Sequence, residues 1–101
     1  MRLANRPLLR DFALQHSDAK TQLDTWEDNI KGVHWKTPQD LKQSYPKASL
    51  IDGVNVVFDI VRNRYRIWVK VNYAAGIVMI KKIGTHREYD KWDIKVGDYY
   101  E

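Results

Sequence analysis

The stretch Tyr65-Arg66-Ile67-Trp68-Val69-Lys70-Val71-Asn72-Tyr73 alternates without interruption. In an extended chain, Tyr65, Ile67, Val69, Val71 and Tyr73 fall on one side and Arg66, Trp68, Lys70 and Asn72 on the other. β-branched and aromatic residues fill the first set, as expected of a strand with one face against a core. The second set places two cations around an indole.

Outward from this strand the punctuation is regular. Ala74-Ala75-Gly76 make a turn, and residues 77–83 are apolar at nearly every position, which suits a central strand covered on both faces until Gly84 ends it. Upstream, Arg62-Asn63-Arg64 turn the chain back into residues 54–61, a stretch rich in β-branched residues. Asp52-Gly53 and residues 48–51 add another turn and strand.

Before Pro46 the period becomes helical. Ala19, Leu23, Trp26, Ile30 and Val33 recur at spacings of 4, 3, 4 and 3, with Ser17 as N-cap and Gly32 marking the end. Pro7 opens an earlier helix carrying Leu9, Phe12 and Ala13, which His16 extends. Thr37-Pro38 start a short third one with Leu41 and Tyr45. Residues 1–5 read as a short strand and residues 90–96 as a short C-terminal helix. The expected fold is α+β, with N-terminal helices on one face of a small antiparallel sheet. The Arg66/Trp68/Lys70 face is expected to stay more open.

Composition limits the function. At 101 residues the chain is expected to be a single domain with one real core. Without Cys there is no disulfide framework, thiolate metal site or cysteine nucleophile. The three His residues include no His-x-x-x-His pair, so no metal is expected. A Gly-rich phosphate loop is also missing. No apolar run approaches the roughly 20 residues that span a bilayer, and residues 1–10 carry no secretory h-region. A cytoplasmic protein without membrane contact is the expectation.

The formal charge of +4 is unevenly placed. Residues 1–59 hold eight basic and eight acidic side chains, so residues 60–101, with nine and five, carry all of the excess. Residues 60–87 contain seven cations and no carboxylate, and seven of the twelve aromatics follow residue 59. Such a half-molecule suits a polyanion, although ordinary solvated Lys and Arg give the same count.

Two constellations carry candidate chemistry. Arg62, Arg64, Arg66 and Lys70 surround Trp68, as a single-stranded RNA track would require: guanidinium groups grip phosphate and an indole stacks a base. The alternative is a solvated sheet face with Trp68 packed on the helices. The second is Gly84-Thr85-His86-Arg87-Glu88-Tyr89-Asp90, a polar cluster at the end of the most hydrophobic strand. His86 can exchange protons near neutrality, with a phenol and a fixed cation beside it. Surface decoration is the competing reading.

These segments, with Trp35-Lys36-Thr37-Pro38, Asp40-Leu41-Lys42, Tyr45-Pro46 and Val56-Val57-Phe58-Asp59-Ile60, resemble the HigB branch of the RelE/ParE toxin superfamily. The likeness runs over nearly the whole chain. Its most specific parts are the Tyr-Arg strand and the Gly-Thr-His-x-Glu-Tyr-Asp ending. The resemblance implies a RelE-like toxin domain over residues 1–101, acting as a metal-independent, cofactor-free endoribonuclease on mRNA in the ribosome. A HigA-like helix-turn-helix antitoxin would be its partner, with DNA reached only through that complex. It further implies Arg66 as phosphate clamp, His86 as proton-transfer residue, and Tyr89 as second acid/base or stacking group. Arg62, Arg64, Lys70, Lys82 and Arg87 would hold RNA phosphates, and Asp90 would orient His86 or cap the last helix. A non-enzymatic relative, such as a ParE-like gyrase inhibitor or an RNA-binding module, would share the same basic, aromatic half.

Overall fold

The computed structural model describes residues 1–62 and 64–92. Strand β1 (Arg2–Ala4) leads into α1 (Pro7–Gln15), a 3-10 turn (Ser17–Ala19), α2 (Lys20–Gly32) and α3 (Pro38–Ser44). Then follow β2 (Ser49–Leu50), β3 (Asn55–Ile60), β4 (Tyr65–Asn72), β5 (Ile77–Thr85) and α4 (His86–Tyr89). The α+β class is as expected, but the sheet is mixed rather than antiparallel. Its order is β1-β5-β4-β3-β2. Strands β2 to β5 form an antiparallel meander, whereas β1 lies parallel to β5 with Leu3 opposite Val78. A parallel neighbour needs a long crossover, and here the helices and three strands intervene, so no local sequence signal sets the direction.

Local chemistry explains most helix boundaries. Pro7 stands in the first turn of α1, where its missing N–H costs nothing. Ser17 does not cap α2; it opens the 3-10 turn, and the N-cap position falls on Ala19 with no side-chain bond. Ala19 is sealed in the core and Asp18 is drawn to Tyr65, which closes this segment more tightly than an α-helical start. Thr37 does cap α3: its Oγ1 accepts from the Asp40 N–H at 3.2 Å, and Asp40 Oδ2 accepts from the Thr37 N–H at 3.2 Å.

The helices bury Leu9, Phe12, Leu23, Trp26, Ile30 and Leu41 against one face of the sheet. From β4 that face receives Tyr65, Ile67, Val69 and Val71. Phe58 of β3 meets the edges of Trp26 and Tyr45 at centroid distances of 5.4 and 5.0 Å.

The opposite face is covered, contrary to expectation. Arg66, Trp68 and Lys70 are only 9%, 7% and 3% exposed. For Arg66 and Trp68 the cause lies after β5. That strand runs through Gly84 to Thr85, and Thr85 then caps α4: its Oγ1 accepts from the Glu88 N–H, and Glu88 Oε1 from the Thr85 N–H, each at 3.1 Å. The chain therefore reverses at once and lays Tyr89 and Trp92 over β4. The last described helix is thus His86–Tyr89; the short helix expected over 90–96 falls mostly on residues 93–96, which lie outside the described residues. Among the described residues no helix is long and apolar enough to cross a membrane.

Tyr65 ties the sheet to the helical layer. Its hydroxyl donates to Asp18 at 2.7 and 2.9 Å, and Arg64 pairs with the same carboxylate at 3.0 Å. The bond to Asp18, with burial behind it, pushes the Tyr65 phenol above its ordinary value, and burial pushes Tyr73 to about 12. Both raised values favour the neutral phenols in the folded state. Their stabilisation is complete below pH ~10 and is lost as pH rises through the folded-state values. Tyr65→Phe is expected to lower the unfolding free energy at pH 7 by about 2 kcal/mol. The double variant Tyr65→Phe/Tyr73→Phe should flatten the loss of stability between pH ~10 and ~12 in denaturant melts.

Candidate functional site

Strand β4 supplies the centre of the site, because alternation sends Arg66, Trp68 and Lys70 away from the helices. The β3–β4 register sets Asp59 directly opposite Arg66. The guanidinium Nε lies 3.0 Å from Asp59 Oδ1, an ion pair that fixes the group's position. The Tyr89 ring centre is 5.5 Å from the Arg66 guanidinium carbon, which gives a cation–π contact. On β5, Gly84 is the cross-strand neighbour of Arg66. A Cβ there would meet the Trp92 ring at 3.0 Å and Glu88 Cβ at 3.2 Å, so glycine permits the close approach of α4.

His86 begins α4. Its N–H donates to the Arg64 carbonyl at 3.0 Å, which fastens the helix start to the start of β4. The imidazole is exposed, with Nδ1 3.7 Å from Asp90 Oδ2 across one helical turn. Asp90 stands at the C-cap position of α4, its N–H donating to the His86 carbonyl and its carboxylate on the imidazole's side of that turn. His86 and Tyr89 thus rise from one turn of helix, with Arg66 beneath Tyr89.

The other expected residues are dispersed. Lys82 is exposed opposite Trp68, and Arg87 is exposed on α4. Lys70 is buried across from Asn55. Trp68 is a structural element here, its Nε1 donating to Asn55 Oδ1 at 2.9 Å while Asn55 Nδ2 donates to Asp52 at 3.0 Å. It packs on the face opposite the helices. Arg64 is engaged at the helical layer by Asp18. Arg62 has φ 50° after Val61 at φ 54°, a left-handed pair that is costly for a β-branched residue. Gln22 Oε1 accepts from the Val61 N–H at 2.9 Å and steadies that turn. Arg62 lines an open cleft of about 920 Å³ that also includes Lys47, Tyr45 and Asp59, so the cleft meets the Arg66 site at Asp59.

Three participants escaped the sequence reading. Asp59 stands one residue outside the carboxylate-free span, and hairpin register alone could have found it. Trp92 gave no signal, because its contact depends on the reversal at Thr85. Lys81 was passed over within the apolar run 77–83. However, Trp68 pairs with Lys82 and Val69 with Ile80, which makes Lys81 the extra residue of a β-bulge. Ile80 and Ile83 both pack into the core, which leaves the two lysines between them on the Trp68 side. Among the described residues, no group of three or more His, Cys, Asp or Glu is placed to hold a metal ion.

Comparison with known proteins gives consistent matches. Residues 19–92 match the HigB_toxin family model, described as the RelE-like toxic component of a toxin–antitoxin system. The mRNA interferase toxin HigB of Escherichia coli (strain K12) is 27% identical over 92 residues, covering 89% of this chain and 88% of that protein. The mRNA interferase HigB of Shigella flexneri matches with the same identity and coverage.

The close approach at Gly84 is directly testable. Gly84→Ala must push against Glu88 Cβ, which sits on the helix itself and cannot rotate aside. The variant should lose about 1 kcal/mol of stability. Its tryptophan emission should shift to the red as Trp92 lifts from Trp68, measured against wild type in the same buffer.

Proposed function

The chain belongs to the HigB family of RelE-like toxins from toxin–antitoxin systems, and from that premise we propose that it is an endoribonuclease that cleaves mRNA. The observation that carries this reading is Arg66, fixed by Asp59 beneath Tyr89, at the strand end where His86 opens α4. The names of its relatives, mRNA interferases, point the same way. In this reading residues 1–101 act as one RelE-like toxin domain in the cytoplasm. Its substrate is mRNA on the ribosome and its partner a HigA-like antitoxin. DNA is met only through that antitoxin.

The reaction is attack of a ribose 2′-hydroxyl on the adjacent phosphorus. The O2′–P bond forms, the P–O5′ bond breaks, and the products are a 2′,3′-cyclic phosphate and a 5′-hydroxyl. One group must take the 2′-hydroxyl proton and another must give a proton to the departing O5′. His86, exposed and beside Asp90, serves as one of these groups, and Tyr89 as the other or as a stacking surface. Charge gathers on the phosphate oxygens in the transition state, and Arg66 is the cation set to meet it. Its ion pair with Asp59 holds it in place before substrate arrives. Arg62, Arg64, Lys70, Lys82 and Arg87 contribute attraction for the phosphate chain. The chemistry calls for no metal and no cofactor.

Expression of the chain followed by mapping of 5′ ends on a translated mRNA tests the proposal. New 5′-hydroxyl ends should appear. His86→Ala and Arg66→Ala should each reduce them by about 10² or more. Growth arrest without new ends, or cleavage undiminished in the double variant, would sink the assignment.

A further inference from the structure

The Arg66 side of the sheet holds a second group of residues next to the catalytic ones. Trp92 lies across Gly84, the cross-strand neighbour of Arg66. Its ring centre is 6.5 Å from that of Trp68, and it meets the Tyr89 ring edge-on at 5.6 Å. Trp68 is the floor of this aromatic cluster, 7% exposed and held by Asn55, so it has no face left for a base. Trp92 is the upper layer and stays partly exposed. Beside the cluster, the β5 bulge puts Lys81 and Lys82 together, with Lys82 opposite Trp68. Regular alternation counted back from Ile83 would have sent Lys81 into the helical core. The bulge gives up a ladder position and gains a second cation on the site's own face.

We propose that Trp92 and the Lys81–Lys82 pair form a nucleotide subsite for single-stranded RNA, with Trp92 stacking one base and the lysines holding neighbouring phosphates. This inference rests on the RNA-cleaving reading above and adds a base contact to it. An indole already held by one ring beneath and another at its edge has little freedom left to lose when a base stacks on it. The residue under Trp92 is the neighbour of Arg66, so a phosphate at Arg66 brings the adjoining base within reach. Stacking of this kind tolerates any base, because each has a π face. The subsite therefore supplies affinity and register, and choice among bases lies elsewhere.

The test uses the intact protein and a 2′-O-methyl RNA hexamer of mixed sequence, whose blocked 2′-hydroxyls prevent cleavage. Binding is followed by anisotropy of a labelled hexamer and by tryptophan quenching. Trp92→Ala should weaken binding about tenfold, and Trp92→Phe should retain most of it. Moving one abasic position along the hexamer should find a site where wild type loses about as much while Trp92→Ala loses nothing further. Lys81→Ala/Lys82→Ala should reduce the slope of log K against log salt by about 1.4. The subsite is rejected if wild type fails to bind the hexamer at low salt. It is also rejected if the abasic and Trp92→Ala losses simply add, or if the lysine variant keeps the wild-type slope. The abasic scan on wild type and the Trp92→Phe variant decide the matter even if Trp92→Ala does not fold. Hexamer binding through Trp92 without mRNA cleavage would reject the catalytic reading and leave the subsite standing. Cleavage with Trp92 and both lysines indifferent would do the reverse.

Discussion

Ile67, Val69 and Val71 are sealed between the sheet and the helices, and the rest of the molecule depends on that burial. Each such side chain contributes roughly 1.5–3 kcal/mol when removed from water. A slip of one residue would expose all three and drive Arg66 and Lys70 into the apolar layer, at a cost the domain could not absorb. The register of β4 is therefore fixed by its apolar half, and the position of Arg66 follows from it. Asp59 falls opposite Arg66 for the same reason, since β3 keeps Phe58 and Ile60 in the core.

The second face of the sheet is organised by contact rather than by alternation. Thr85 ends β5 and caps α4 in one step, so the chain folds back without a loop. Gly84 lets the returning segment lie close. The cation–π contact of Tyr89 with Arg66 and the tilted contact of Trp92 with Trp68 both depend on these two adjacent residues. A shallow polar face thereby becomes a partly dry one, where a fixed guanidinium exerts more force on a phosphate than it would in open water.

The uneven charge of the sequence also acquires a structure. The seven cations of residues 60–87 do not form one stripe. Arg64 is taken up by Asp18 in the helical layer and Arg66 by Asp59 across the hairpin. Lys70 is buried, while Lys81 and Lys82 are gathered by the bulge. Net charge makes this half of the chain attractive to a polyanion, but only some of the cations are exposed to meet one.

Alternation in residues 65–73, the helical period from Ala19 to Ile30 and the Thr37-Pro38 start were legible because they are local. Side-chain period and cap chemistry act over a few residues and leave their mark in composition. The grouping of His86, Tyr89 and Asp90 was legible for the same reason, lying within one turn. The parallel pairing of β1, the partnership of Asp59 with Arg66, the bulge at Lys81 and the burial of Trp68 beneath Trp92 belong to the tertiary structure alone. Each joins segments whose relation is set by register and by the path of the backbone, which hydrophobic patterning along a single strand does not encode.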